Sequence, residues 1–365
     1  MEKKELIKEI EKARERDFKF KDSHILGSMC TSPHPIGKKI YSKFIETNLG
    51  DPELFPGTKE LERKAIEFVA KLLHAPSGSV ASMTSGGTES NITAMWIFRE
   101  ASNKNVVVLP KHAHFSFEKA LRMLKMKGVY VEGKYNMAAK DFKKAVSKET
   151  CCGVAIAGNT TYGYIDEIEE IADFCYDEHI FLHVDAAFGG FVIPFLKNAP
   201  KFDFSLKGVS SIAIDAHKMG LSPIPAGFLI MRKNWLDLIK VRSKCTHTRW
   251  QAGLLGTRPG AAAAAAYAVM HYIGMDGYKK VVKKCMDNVA YLKKLLDENG
   301  IEYVPPRLNV VAIKCDAERV AMELKRRGWM VGLDESEGVI RLVIMPHVKK
   351  KFIAEFIEDL KKVIK

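Results

Sequence analysis

His183-Val184-Asp185-Ala186-Ala187, with Asp215-Ala216-His217-Lys218 downstream of it, is the pair of segments on which the reading of this chain turns. The apolar run 180–184 predicts a buried parallel strand, so Asp185 falls at its carboxyl end, where ligands bind in open α/β sheets. A second strand, 211–215, ends in the same way and carries Lys218 in the loop beyond it.

An aspartate at a strand end is common turn chemistry, and one lysine in a loop is ordinarily solvated. Together they meet a specific demand. Pyridoxal 5'-phosphate (PLP) needs a lysine amine to hold its aldehyde as a Schiff base and an acid paired with its pyridine nitrogen. Lys218 and Asp185 are the candidates. Upstream, Thr84-Ser85-Gly86-Gly87-Thr88-Glu89-Ser90-Asn91 opens a helix that continues through Ile92, Met95 and Trp96. Its two glycines allow close backbone approach, and the free amides at the helix start, with the Thr88 hydroxyl, make an anion site suited to a phosphate. Alone, this stretch reads more readily as a glycine turn with a threonine cap; beside the Asp185–Lys218 pair the phosphate reading prevails.

The composition narrows the class. The chain has 365 residues, 47% of them apolar, and a formal charge of +13. That length calls for two domains, or one large domain with an appendage. No apolar run approaches the roughly 20 residues of a membrane helix. The charged start Met1-Glu2-Lys3-Lys4-Glu5 lacks the apolar core of a signal peptide, so the expected location is the cytoplasm. Seven cysteines without a Cys-x-x-Cys pair argue against a disulfide framework and a structural zinc site. His112 and His114 are two apart, which in an extended segment points them to opposite sides and disfavours a shared metal. The basic residues are dispersed in helical patterns and no aromatic-basic module accompanies them, which speaks against nucleic acid as the partner.

Residues 1–56 are expected to form an N-terminal helix and an irregular arm, 57–265 a large cofactor-binding α/β domain, and 266–365 a smaller C-terminal α+β domain. Short apolar runs alternate with helical ones from 58 to 231, which predicts a mainly parallel sheet covered by helices. A long helical stretch from Ala261 to about Asn299 is expected to break near Gly274 and Gly277. A strand near 329–333 and another over 339–345 are expected in the tail. Arg341 opens the latter, and its planar fork matches a carboxylate, so it is the candidate contact for a substrate acid group, with a structural ion pair as the equal alternative.

The segments HVDAAFGG and DAHKMG resemble those of the fold-type-I PLP enzymes, and in particular the group II amino-acid decarboxylases. Motifs from Gly27-Ser28-Met29-Cys30 and Thr47-Asn48-Leu49-Gly50-Asp51-Pro52 to Met345-Pro346-His347 are similar to the archaeal tyrosine/aspartate decarboxylase group. The sphingosine-phosphate lyases are more distant and share a similar Ser-Gly-Gly-Thr-Glu-Ser element. The resemblance implies that Ser85, Gly86, Gly87 and Thr88 bind the cofactor phosphate, with Ala187 and His217 among the cofactor contacts. It implies that His114, in Lys111-His112-Ala113-His114, lies flat over the cofactor ring. Thr160, in Gly158-Asn159-Thr160-Thr161, would approach the cofactor, with Asn159 in place of the family's first threonine. Thr257, in Gly256-Thr257-Arg258-Pro259-Gly260, would touch the phosphate of a neighbouring subunit, which implies a homodimer.

One departure bears on the reaction. Group II decarboxylases carry a tyrosine on a mobile loop, but the corresponding stretch 241–253 has none. Three outcomes stay open: another acid such as His247 serves, the reaction differs, or activity is lost. The expected function is PLP-dependent decarboxylation of an L-amino acid of the tyrosine, aspartate or glutamate class. The alternatives are lyase-like carbon–carbon cleavage of a phosphorylated amino alcohol, or a PLP-binding homologue that no longer decarboxylates.

Overall fold

A computed structural model describes residues 2–244 and 246–364; Cys245 lies outside the described residues. The chain divides into two compact units, one made of residues 33–283 with 306–308, the other of residues 2–32, 284–305 and 309–364. The division thus falls at 283/284, and residues 33–56 join the larger unit, whereas the sequence suggests a boundary near 265 and a separate arm.

The larger unit is built on a seven-stranded sheet: β1 (Val80–Thr84), β2 (Val106–Pro110), β3 (Lys127–Val131), β4 (Thr150–Ile156), β5 (Phe181–Asp185), β6 (Val209–Asp215) and β7 (Gly227–Met231), in the order β1-β7-β6-β5-β4-β2-β3. β6, β5, β4, β2 and β3 run parallel, and β7 is antiparallel to both β6 and β1. Every residue of β4, β6 and β7 is buried. Strands without a polar face must be covered on both sides, and for the parallel ones the crossover helices do this. The helix Gly87–Ser102 is buried along most of its length, and its Ile92, Met95 and Phe98 pack with Val107, Leu109, Val154 and Leu229 in one apolar core.

Asp166, between Ile156 and the helix Ile168–Asp177, fastens the crossover. Its Oδ1 accepts from the Met137 amide at 2.7 Å and its Oδ2 from the Ile156 amide at 2.7 Å. Burial pushes this carboxyl up to about 7 against the pull of those two donors. In Asp166→Asn the new NH2 group faces one of the amides, and a buried donor is left without an acceptor. We expect a loss of about 1–3 kcal/mol, read as a lower urea midpoint at unchanged m-value.

Helix Gly260–Glu298 is interrupted at Gly274, where φ is 62° and ψ 176°. Gly277 keeps helical geometry, so the second expected break is absent: its glycine costs helix propensity but demands no special backbone angle. The smaller unit holds the sheet of β10 (Tyr303–Val304), β11 (Val310–Lys314), β12 (Gly332–Asp334) and β13 (Val339–Val343), all antiparallel in the order β10-β11-β13-β12. Between β7 and the long helix, the two-residue strands β8 (Val241–Arg242) and β9 (Trp250–Gln251) form a small hairpin. In the smaller unit's tail the strand begins at Gly332 rather than near 329, because Trp329 turns into the core, 2% exposed, and donates from Nε1 to Asp359. Among the described residues no helix is long and apolar enough to cross a membrane.

Candidate active site

The register of the sheet assembles the site. Asp185 pairs with Ile156 at the end of β4 and with Ala213 near the end of β6, so the loops after three neighbouring parallel strands open side by side. They carry Asn159 and Thr160, then Asp185 to Ala187, then Asp215 to Lys218. The turn after β1 joins them from the other side. β7 pairs Gly227 with Thr84 in β1 and with Asp215 in β6. A Cβ at Gly227 would stand 2.8 Å from both Asp215 Oδ1 and Thr84 Oγ1, so only glycine lets these segments close.

Asp185 is 7% exposed. Its Oδ1 accepts from the Ala187 amide at 3.0 Å and its Oδ2 from Asn91 Nδ2 at 2.9 Å. The same Asn91 nitrogen lies 2.9 Å from Ser116 Oγ, which lies 2.9 Å from His114 Nδ1. Asn91 Oδ1 meets His183 Nε2 at 2.9 Å, and His183 Nδ1 meets Ser211 Oγ at 2.7 Å. Burial lowers the pKa of His183 to about 4 and pulls that of His114 below its ordinary value, so both rings are neutral at pH 7. The charges of Asp185, Lys218 and Asp215 all act on His114, in keeping with a shared site.

Lys218 Nζ stands 3.3 Å from Asp215 Oδ2, and that carboxylate is 2% exposed. Its Oδ1 is buried and has no hydrogen-bond partner among the described residues. His217 Nε2 is 3.6 Å from the same Oδ2, and His217 Nδ1 lies 3.0 Å from the Ala226 carbonyl oxygen and 3.1 Å from the Ala226 amide nitrogen. Gly86, at φ 150°, lies against this histidine: a Cβ there would come within 2.9 Å of His217 Cε1. Beyond Gly86, Glu89 Oε2 accepts from the Ser85 amide at 2.7 Å and pins the turn. Ser85 is exposed and Thr88 half-buried, and the first amides of the helix have no acceptor within it.

The remaining candidates fall into three places. Asn159 is spent on the turn itself, donating to Tyr135 O at 2.7 Å and accepting from the Tyr162 amide at 2.8 Å; the half-buried Thr160 follows it. His247 pairs through Nδ1 with Asp51 Oδ2 at 2.9 Å, and Gln251 Nε2 donates to Gly50 O, so the segment without a tyrosine is stapled to the Asn48–Asp51 arm. Arg258 strengthens that staple by pairing with Glu62 and donating to Leu49 O at 3.0 Å, leaving Thr257 exposed beside it. Arg341 belongs to the smaller unit, where Nη2 donates to Gly27 O at 2.7 Å.

Sequence reasoning missed Asn91, Ser116 and Ser211 as parts of the site, and used His183 only as a strand residue. A signal existed for Asn91: it is four residues beyond Gly87, one helical turn from the phosphate-binding end.

These residues fit a pyridine cofactor with a phosphate tail. A pyridinium nitrogen would give the buried Asp185 carboxylate, held so far by neutral donors, the positive partner it calls for. Lys218 supplies the covalent anchor and the turn 85–88 the anion site. A PLP enzyme is what this fold and donor set define. The chain belongs to the family described as the pyridoxal-dependent decarboxylase conserved domain, whose model matches residues 29–315, and its cofactor is pyridoxal 5'-phosphate. It is 44% identical over 375 residues to the L-aspartate decarboxylase of Thermococcus kodakarensis, covering 99% of this chain and 97% of that one. It is 41% identical over 377 residues to a protein of Methanosphaera stadtmanae named "Probable L-tyrosine/L-aspartate decarboxylase", covering 98% and 96%. The structure of a sphingosine-1-phosphate lyase from Burkholderia pseudomallei superposes with a TM-score of 0.91 at 23% identity, covering 100% of this chain and 91% of that one; this likeness shows the fold alone. The chain is a PLP-dependent amino-acid decarboxylase.

Proposed function

We propose that the substrate is an L-amino acid of the aspartate, tyrosine or glutamate class, with aspartate first, released as its amine and carbon dioxide. The observation that carries the reading is the meeting of Lys218, Asp185 and the 85–88 turn at one end of the sheet. The names of the relatives at 41–44% identity support the choice of substrate. When bound, PLP supplies a ring that takes up the electron pair left by the departing carboxylate. Lys218 would hold the cofactor through its amine and release it to the substrate amine. Asp185 would keep a positive charge on the ring nitrogen, and His114 would pack beside the ring. Arg341, fixed by Gly27 O, is the proposed contact for the substrate acid group. Incubating the purified protein with aspartate, tyrosine and glutamate and weighing the products by mass spectrometry tests this. Equal carbon dioxide release with and without protein for all three would overturn it.

His247 is the proposed proton donor to the carbon that loses carbon dioxide. Its hydrogen bond to Asp51, with the charges of Asp51 and Glu53, raises its pKa above the ordinary 6.5. A raised pKa keeps the acid form populated further toward neutral pH, so kcat is expected to fall as pH rises through that pKa. Asp51→Asn removes the cause and should move this alkaline limb to lower pH. His247→Gln should remove the limb and lower kcat by about 10²-fold or more. A limb that stays in place in both variants assigns the proton to another group.

The family-like homodimer is proposed for the same chain. Val241, Trp250, Leu254 and Leu255, all near the exposed Thr257 in sequence, are exposed large apolar side chains of the kind that partner subunits cover. A cytoplasmic location is proposed as well: the six described cysteines are all free, which suits a reducing compartment.

A further inference from the structure

The hydrogen bonds around Asn91 permit one arrangement of protons. Its amide group touches Asp185 Oδ2 and Ser116 Oγ at one end and His183 Nε2 at the other. A carboxylate oxygen only accepts, so the NH2 end must face Asp185, and the amide oxygen faces His183. His183 therefore carries its proton on Nε2, and its bare Nδ1 accepts from the Ser211 hydroxyl. On the other branch, Ser116 Oγ accepts from Asn91 and so turns its own hydrogen to His114 Nδ1. The Ser116 amide also points at that nitrogen, at 3.3 Å. Two donors on Nδ1 leave the proton of a neutral His114 on Nε2. Apart from Asp185, at 7%, and the half-buried His114, the members are at most 1% exposed, so water does not compete for these bonds.

We propose that Asn91 is a positioning residue which reads the Asp185 carboxylate and, through its two ends, imposes the Nε2–H tautomer on both His183 and His114. This deepens the assignment of the PLP site and rests on it for its bearing on catalysis. One side chain thus couples the acid that would face the ring nitrogen to the histidine beside the ring. His114 is kept as a neutral donor through Nε2 and is denied the proton on Nδ1 that an imidazolium requires. A substrate carboxylate near it then meets a hydrogen-bond donor, without a full positive charge that would stabilise the carboxylate against leaving.

The test is a long-range 1H–15N correlation spectrum of cofactor-free protein labelled at histidine, recorded at pH 7, with His114→Asn and His183→Asn spectra for assignment. Both rings should show a protonated Nε2 and a bare, pyridine-like Nδ1. Either ring with its proton on Nδ1 in the wild-type protein overturns the proposal, whether or not any variant folds. Asn91→Leu, close in volume, should release His183 into a tautomer mixture and weaken PLP binding at least tenfold by fluorescence titration. A folded Asn91→Leu protein with wild-type tautomers and cofactor affinity also overturns it. Because the spectra need no cofactor, wild-type protein with the expected tautomers but no affinity for PLP would refute the functional assignment and leave the network standing.

Discussion

Lys218→Ala protein mixed with PLP shows no visible absorbance band from lysine-bound cofactor, and its turnover falls by at least about 10⁴-fold. The magnitude follows from placement. An amine fixed at the reacting atom counts as an effective concentration of about 10⁵–10⁸ M, so methylamine added at attainable concentrations recovers little of the loss. The variant has a second effect that must be separated from the first. Lys218 lies 3.3 Å from a carboxylate that is 2% exposed, and removing it strands Asp215 as a buried charge, a change that costs about 3–5 kcal/mol. Lys218→Arg keeps a cation near Asp215 without an amine that can capture an aldehyde. It should lose the absorbance band and turnover like the alanine variant while denaturing at a higher urea concentration. A retained band in either variant would sink the assignment of Lys218.

Asp185→Asn keeps the side chain's shape and removes its charge. A ring nitrogen that has lost the buried carboxylate facing it loses about 3–5 kcal/mol of interaction. At 1.36 kcal/mol per decade this predicts decarboxylation slowed by about 10²–10⁴-fold, measured as initial rates at saturating substrate. The asparagine must also place a nitrogen against either the Ala187 amide or the Asn91 NH2, the two donors that now hold the carboxylate. The cofactor should therefore bind more weakly as well. A rate within tenfold of wild type would take Asp185 out of the site.

The parts of this architecture that were legible in the sequence are those written in local pattern. The mostly apolar runs of β4, β5 and β6 announce strands buried on both faces, with the acid at the end of one and the lysine three residues past the end of another. β1 was not legible, because Val80-Ala81-Ser82-Met83-Thr84 is neither apolar throughout nor alternating, and it forms a strand through its pairing with β7. The network under Asp185 was hidden for a related reason. Asn91, Ser116, His183 and Ser211 come from two helices and two strands, and polar residues inside such elements read as exposed until the fold buries them. The Asp51–His247 pair spans nearly 200 residues, and no spacing rule links an arm to a loop at that distance.

The edge position of β1 has a consequence for how the protein is made. Among the described residues Val80–Thr84 finds its ladder in Gly227–Met231 alone, so the strand that leads into the phosphate turn stays unpaired until the chain has been synthesised past residue 231. Contacts this distant in sequence form late and slowly. The cofactor pocket is then closed by one of the last pairings of the seven-stranded sheet to form, and a chain released from the ribosome before that point carries Asp185 and Lys218 with the phosphate turn not yet held in place.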